Sequence, residues 1–394
     1  MLHIVESLDR GSVENWLLRM AAHARRRAVA IDWTFYCSLE GAGSNDVLAR
    51  ELGLRVVHTP VPIGHKLAFA QALRSEIARG RYDVLHSHHD LVSGFYLTAA
   101  LGLPLRRRIV HVHNADEQVL TGNPVKKAVL RPVLRRLCFA LADKIAANSN
   151  HSLDTFLAGR TRRAGRDVVH YLGIESQRFE AATGDRRALH LALGLPENAL
   201  ILLFAGRMTP EKNPVFAVDV LAELRRRRPE AIGVFVGSGS LEDAVRRRAG
   251  ELGQAEAIRL LGWRDDVAEI MSASDWFILP HPEHPVEGFG IAVVEAQLAG
   301  LRLLLSRGVL DDPLLPAAVF RRLPLTDPPL AWAEAALDML EGPAPSRPQA
   351  LAEFKSSPME MDRALKLLMQ LYANGDIPQL LGFRLNRSGA CHRR

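Results

Sequence analysis

The feature that most constrains this chain is a repeated alternation of short apolar runs with longer segments of helical spacing. Leu2-His3-Ile4-Val5 is the first run, Asp9-Arg10-Gly11-Ser12 reads as a loop, and Val13 to His23 carries apolar residues at helical intervals. Further strands are expected at Asp32–Phe35, Arg55–His58, Val84–His86, Arg108–His113, Lys144–Ala147 and Val168–Tyr171. A strand covered on both faces reads as a near-continuous apolar run, and parallel neighbours need a crossover of a dozen or more residues between them. The spacing allows both, so the first half is expected to form a doubly wound parallel sheet.

The second half repeats the scheme. Strands are expected at Ala199–Phe204, Gly233–Val236, Ile258–Leu261, Trp276–Leu279 and Arg302–Leu305, alternating with helices at Asn213–Arg227, Leu241–Glu251, Asp265–Ser272 and Gly290–Leu298. The polar stretch Glu175–Arg187 has weak periodicity and marks a seam within Gly173–Asn198. The expected division is 1–175, 176–355 and a last segment, 356–394, holding an amphipathic helix at Met359–Tyr372 and a loosely structured tail from Asp376. A length of 394 residues fits two domains at roughly 100–200 residues each. Two facing units of this kind put the C-terminal ends of their strands around a shared cleft, where open α/β sheets bind ligands.

Composition narrows the class. Hydrophobic residues make up 48% and charged residues 24%, which excludes a chain disordered over most of its length. Cys37, Cys138 and Cys391 are too few and too scattered for a disulfide framework or a paired-cysteine zinc site, so a reducing, cytoplasmic compartment is expected. Glu6 and Asp9 interrupt the first apolar run, against a signal peptide. No run reaches the roughly 18–20 apolar residues of a membrane helix. The net charge of +6 leaves an acidic partner open.

Three segments carry chemistry. Glu287-Gly288-Phe289-Gly290-Ile291-Ala292-Val293-Val294-Glu295 follows a strand and a loop rich in Pro and His. Gly288 and Gly290 let backbone amides approach a ligand closely. A helix starting near Gly290 would offer free N–H groups and a positive dipole end to a phosphate or polyhydroxy ligand. Glu287 and Glu295 are about 12 Å apart if the segment is helical, suiting contacts to two parts of an elongated ligand. Ala205-Gly206-Arg207-Met208-Thr209-Pro210-Glu211-Lys212-Asn213 puts two cations in a loop after a buried strand, as a diphosphate requires. Gly237-Ser238-Gly239 also follows a strand, but Glu242 stands where a dinucleotide fingerprint has its third glycine. No phosphate-binding P-loop is present.

In the first half, Gly11-Ser12 lies in the loop after the first strand. His86-Ser87-His88-His89-Asp90 and His111-Val112-His113-Asn114 lie at strand ends, which would place several imidazoles on one rim of the cleft. Their spacings match no standard zinc site, so the expected role is hydrogen bonding to substrate hydroxyls or a reacting oxygen, with no metal.

Together, the Glu287-to-Glu295 segment, Gly206-Arg207 with Lys212, Gly237-Ser238-Gly239 and the early Gly11 loop resemble the retaining glycosyltransferases of family 4. The order and spacing match from Leu2 to about Tyr372. The resemblance implies a GT-B fold, two facing Rossmann-like domains, whose C-terminal helix crosses back to the first domain. By the same resemblance Arg207 and Lys212 would bind the donor diphosphate. Glu287 and the backbone of Phe289–Ile291 would hold the donor sugar and its phosphate. Glu295 would bind ribose hydroxyls, Gly262-Trp263-Arg264 would flank the base, His113 would lie near the anomeric centre, and Gly11 would lie in the loop closing on the phosphates. The chain departs from the pattern at Ser12, where a second glycine is usual, and at Leu301–Gly308, which lacks the usual proline and glycine pair. These departures bear on turnover more than on fold.

The resemblance implies a retaining, metal-independent hexosyl transfer from a nucleotide-diphosphate sugar, with no other cofactor. The acceptor would be a glycan, often lipid-linked in the family, in bacterial cell-surface polysaccharide synthesis. A non-catalytic nucleotide-sugar binding protein and a GT-B-like epimerase are the alternatives. Arginine runs at Arg25–Arg27, Arg106–Arg108, Arg225–Arg228 and Arg246–Arg248 are scattered and accompany no nucleic-acid motif, so no nucleic-acid partner is expected. Lys126, Lys127, Arg131, Arg135 and Arg136 share a segment with Val125, Val129, Leu130, Leu134 and Leu137. A basic amphipathic helix there could dock on the inner face of an anionic membrane, although Pro132 argues against one unbroken helix.

Overall fold

The structure, a computed structural model, describes residues 1–9, 11–114 and 124–373, with the side chains of 124–127 excepted. The first sheet has seven parallel strands: β1 (Leu2–Val5), β2 (Thr34–Cys37), β3 (Arg55–His58), β4 (Val84–Ser87), β5 (Arg107–Val112), β6 (Lys144–Ala147) and β7 (Asp167–Val169), in the order β3-β2-β1-β4-β5-β6-β7. The second has six: β8 (Leu200–Ala205), β9 (Ala231–Val236), β10 (Ile258–Leu260), β11 (Trp276–Leu279), β12 (Arg302–Ser306) and β13 (Phe320–Leu323), in the order β10-β9-β8-β11-β12-β13. Every pairing is parallel. The expected class, two doubly wound α/β domains, is the observed one.

β1, β9 and β11 are buried along their whole length, as apolar runs with helices on both faces must be. β13 had no counterpart in the sequence reading. It is an edge strand, Phe320-Arg-Arg-Leu323, whose two arginines break the apolar run. The seam stretch of weak periodicity holds a one-turn helix, Gln177–Ala181. Pro132 does not break its helix, which runs unbroken from Pro124 to Leu141. A proline costs the bond to the carbonyl four residues back, here that of Ala128, and both residues are exposed, so water can satisfy it.

The last helix, Met361–Tyr372, returns to the first sheet. The Ile174 N–H donates to the Met359 carbonyl at 2.9 Å, and the Met361 N–H to the Ile174 carbonyl at 3.1 Å. Met361, Leu365 and Leu368 join Trp16, Leu17 and Trp33 in an apolar core continuous with that of the second sheet. Opposite, Asp362 accepts from the Arg27 guanidinium and pairs with His23 at 2.6 Å. The tail from Asp376 lies outside the described residues.

Each sheet reverses its strand order at one place, between β1 and β4 and between β8 and β11. Ligands of doubly wound sheets bind outside the strand ends at such points. The loops there are residues 6–9 and 88–90 in the first domain, and 206–213 and 280–290 in the second.

Candidate functional site

The switch point of the second sheet brings together residues far apart in sequence. Lys212, at the end of the loop after β8, donates to Glu287, 75 residues on in the loop after β11. Both are mostly buried, with side chains 18% and 12% exposed. His281 Nε2 lies 3.7 Å from the same Glu287 oxygen. Burial alone would raise the Glu287 carboxyl, but Lys212, His281 and Arg207 together hold it below the usual range, so it is a carboxylate. Arg207 is more open. It lies 3.9 Å from Glu211, and its field reaches Glu14 of the first domain.

Three loops lie side by side here because their backbones bond to each other. Gly206 N–H donates to Val236 and Met208 N–H to Ser238, and Gly237 N–H donates to Gly262 at 2.7 Å. Gly237 has φ +116, and a Cβ on it would lie 2.1 Å from the Gly206 carbonyl oxygen, so only glycine fits. Trp263, half exposed, projects from the third loop. Arg264 is held in a two-pronged pair by Asp266, at 2.7 and 2.5 Å.

Gly290 caps the helix Ile291–Leu298 with φ +74, a left-handed conformation that costs glycine little. The segment is therefore helical only from Ile291, not from Glu287 on. Phe289 is buried, its ring 5.5 Å from that of Tyr171 in the first domain. Glu295 is mostly buried and 3.5 Å from Arg178. Burial raises its carboxyl against the opposing fields of Arg19 and Arg178.

The first domain meets this site closely. A Cβ on Gly288 would lie 2.6 Å from the His113 carbonyl oxygen, which also accepts from Asn148 Nδ2 at 2.8 Å. Asp90 accepts from the His113 N–H at 2.8 Å and from Asn114 Nδ2 at 2.7 Å, fixing the loop after β5. Asp312 accepts from Asn150 Nδ2 at 2.7 Å and from the Tyr171 hydroxyl at 3.0 Å. Gly11 caps the helix Ser12–Arg26. The Glu14 carboxylate occupies the space over Gly11, where a Cβ would lie 2.0 Å from Oε2, while Ser12 faces solvent.

The histidines are not arrayed along the rim. His86 and His111 lie inside β4 and β5, and alternation turns them, with His88 and His113, to one sheet face. There Trp16 lies edge-on to His111 at 5.5 Å. His3 and His170, which the sequence reading did not single out, join them. His3 bonds His88 at 3.1 Å, His88 bonds His113 at 3.0 Å, His86 bonds His111 at 3.2 Å, and His86 also meets the Tyr372 hydroxyl at 3.0 Å. Burial keeps all of them neutral, with His113 pushed down to about 3.

The sequence reading also missed His281, Arg178, Arg19, Glu14 and Asp312. The Pro280-His281-Pro282 setting after a strand was the available signal for His281. Nothing local pointed to the others.

The comparisons with known proteins agree with this geometry. Residues 11–173 match the family described as glycosyl transferase 4-like domain, and residues 185–309 match glycosyl transferases group 1. The chain is a glycosyltransferase of this two-domain family. It is 27% identical over 343 residues to the Bacillus subtilis protein named as glycosyltransferase EpsF, covering 85% of this chain and 86% of that one. It is 33% identical over 246 residues to the D-inositol 3-phosphate glycosyltransferase of Mycolicibacterium gilvum, over 59% of this chain. That match spans about half of the relative, 53%. Among solved structures, Anabaena HepE in complex with UDP-glucose superposes with TM-score 0.70 at 19% identity, over 94% of this chain and 98% of that one. WaaG, a glycosyltransferase involved in lipopolysaccharide biosynthesis, gives TM-score 0.71 at 15% identity, over 95% of this chain and 100% of that one. These two likenesses establish the GT-B fold of the transferase.

Proposed function

We propose that this transferase moves a hexose from a nucleotide-diphosphate sugar to a glycan acceptor of cell-surface polysaccharide synthesis, with retention at the anomeric carbon and without a divalent metal. One observation carries the reading: Arg207, Lys212 and the N-terminus of the helix Ile291–Leu298 lie around one switch point, with Glu287 among them. Breaking the sugar–phosphate bond leaves negative charge on the diphosphate. Two fixed cations and a helix N-terminus stabilise it where it develops. Lys212 would exchange part of its contact with Glu287 for phosphate oxygens, and Glu287 would accept from sugar hydroxyls. Glu295 would bind the ribose hydroxyls, and Trp263 would flank the base. His113, neutral at working pH, would offer the sugar a hydrogen bond rather than a charge.

In this reading the acceptor oxygen bonds to the anomeric carbon on the face the diphosphate leaves. Its proton passes to the departing phosphate oxygen, so no protein nucleophile is needed. The complexes of HepE with UDP and UDP-glucose support a nucleoside-diphosphate sugar as donor, and EpsF and WaaG support a polysaccharide or lipopolysaccharide setting. The test is transfer by the purified chain in excess EDTA, with nucleotide sugars first ranked by the thermal shift they cause. Sustained transfer supports the reading, and full loss on chelation overturns metal independence.

A lipid-linked acceptor at the membrane is supported by the helix Pro124–Leu141. Val129, Leu130 and Val133 are 60%, 40% and 44% exposed, beside Arg131, Arg135 and Arg136. Lys126 and Lys127 have side chains outside the described residues, and among described residues no helix is long and apolar enough to cross a membrane. Flotation with vesicles rich in anionic lipid tests docking, and a chain that stays at the bottom of the gradient removes it.

A further inference from the structure

The histidine face of the first sheet is more than the proposed transfer requires. One residue, His113, is assigned a contact with the sugar, yet five other imidazoles pack behind it. His88, His111 and His113 each present a nitrogen within 4.8 Å of the other two, and all three are buried. We propose that these three histidines form a binding site for one transition-metal ion of the zinc class, distinct from the diphosphate site.

Four observations converge. First, the donors already converge: His88 Nδ1 and His113 Nε2 lie 3.0 Å apart, a contact that one ion held between the two rings would replace. Second, His111, bonded through Nδ1 to His86, has its Nε2 buried without a hydrogen-bond partner in the protein, which leaves that nitrogen open to an ion. Third, the ligands are oriented from behind. His111 is hydrogen-bonded through Nδ1 to His86, and His88 through Nε2 to His3, while Asp90 pins the His113 backbone. Outer contacts of this kind set ring orientation at metal sites. Fourth, the triad lies on the outer side of the cluster: His88 and His113 keep 6% and 7% exposure, whereas His3, His86 and His111 are 0% exposed.

The second possible triad, His3, His86 and His88, shares His88, and its other two members are 0% exposed. One ion at the outer triad therefore accounts for the cluster. Three imidazoles and no carboxylate select zinc, cobalt, nickel or copper over magnesium or calcium. The sequence spacing hid the site because its ligands come from two strands joined by the parallel register.

The full chain, made without a histidine tag, stripped with chelator and desalted, is titrated with Co(II). Visible absorption of four- or five-coordinate cobalt saturating at one equivalent, and removed by Zn(II), is the expected result. His88→Gln and His111→Gln should each weaken Co(II) binding at least about tenfold, or about 1.4 kcal/mol, while His151→Gln, outside the cluster, should not. If either variant fails to fold, His113→Gln, at the accessible edge, replaces it. Only the spectrum of the hydrated ion at one equivalent, or unchanged binding in the folded variants, overturns the site. Because the readout is cobalt absorption, its failure is independent of donor choice or transfer.

Discussion

Gly288, in the loop after β11, packs against the carbonyl oxygen of His113, so closely that a Cβ would lie 2.6 Å from it. The neighbour is backbone held by Asn148 and Asp90, which cannot swing aside as a side chain would. Gly288→Ala should therefore push the two domains apart at the proposed reaction centre. We expect kcat to fall at least about tenfold, with a stability loss of roughly 1–3 kcal/mol. Steady-state kinetics alongside a thermal melt check this, and an unchanged kcat would refute the contact's importance.

Lys212→Ala removes the strongest counter-charge of Glu287 as well as the proposed phosphate ligand. kcat/KM for the donor should drop at least about tenfold, equivalent to about 1.4 kcal/mol. The Glu287 carboxyl, now held down by His281 and Arg207 alone, should titrate higher than in the parent, moving the acid limb of the pH–rate profile upward. Glu295→Ala should lose donor use by a similar factor without that pH change. Equal kinetics in parent and variants would sink the donor assignment.

Stability should depend steeply on pH. His3 and His113 are pushed from 6.5 down to about 3, and His86, His88 and His111 are lowered too, all by burial. Above pH 6.5 neither folded nor unfolded chain holds these protons, and the full stability is present. Below it the unfolded chain takes up protons that the folded one refuses, so stability falls with pH toward about 3. Each such imidazole contributes a slope of up to about 1.4 kcal/mol per pH unit. Urea midpoints measured from pH 7.5 to 5 check this, and a flat profile would show that the cluster is hydrated.

Asp312→Ala should loosen the domain seam. It deletes a side-chain acceptor shared by the Asn150 backbone N–H, the Asn150 side-chain amide and the Tyr171 hydroxyl. A typical hydrogen bond contributes about 0.5–1.5 kcal/mol net, so a loss of roughly 2 kcal/mol is expected in a denaturant melt. A wild-type midpoint would contradict this.

Most of the fold was legible because buried parallel strands announce themselves. Trp276–Leu279 and Lys144–Ala147 were placed to the residue. β13 was not, because Arg321 and Arg322 sit on an edge strand. The donor-side loops were legible because glycines and cations follow strands in a fixed order. The Lys212–Glu287 pair was not, because strand order, rather than local spacing, makes β8 and β11 neighbours. The histidines show the same limit. Alternation gives each one a face, but only the register that sets His3 beside His86 reveals that they share one.

The return of the helix Met361–Tyr372 to the first sheet also fixes an order of completion during synthesis. When residues 1–173 leave the ribosome, the face bearing Trp16, Trp33 and the histidines still lacks Leu365, Leu368 and Tyr372. The His170 ring still lacks the Ala364 carbonyl that it meets at 2.9 Å. The amino-terminal unit is thus the first to be made and the last to be finished. A nascent chain stalled before residue 361 would expose an unsealed aromatic surface, a natural target for chaperones and proteases.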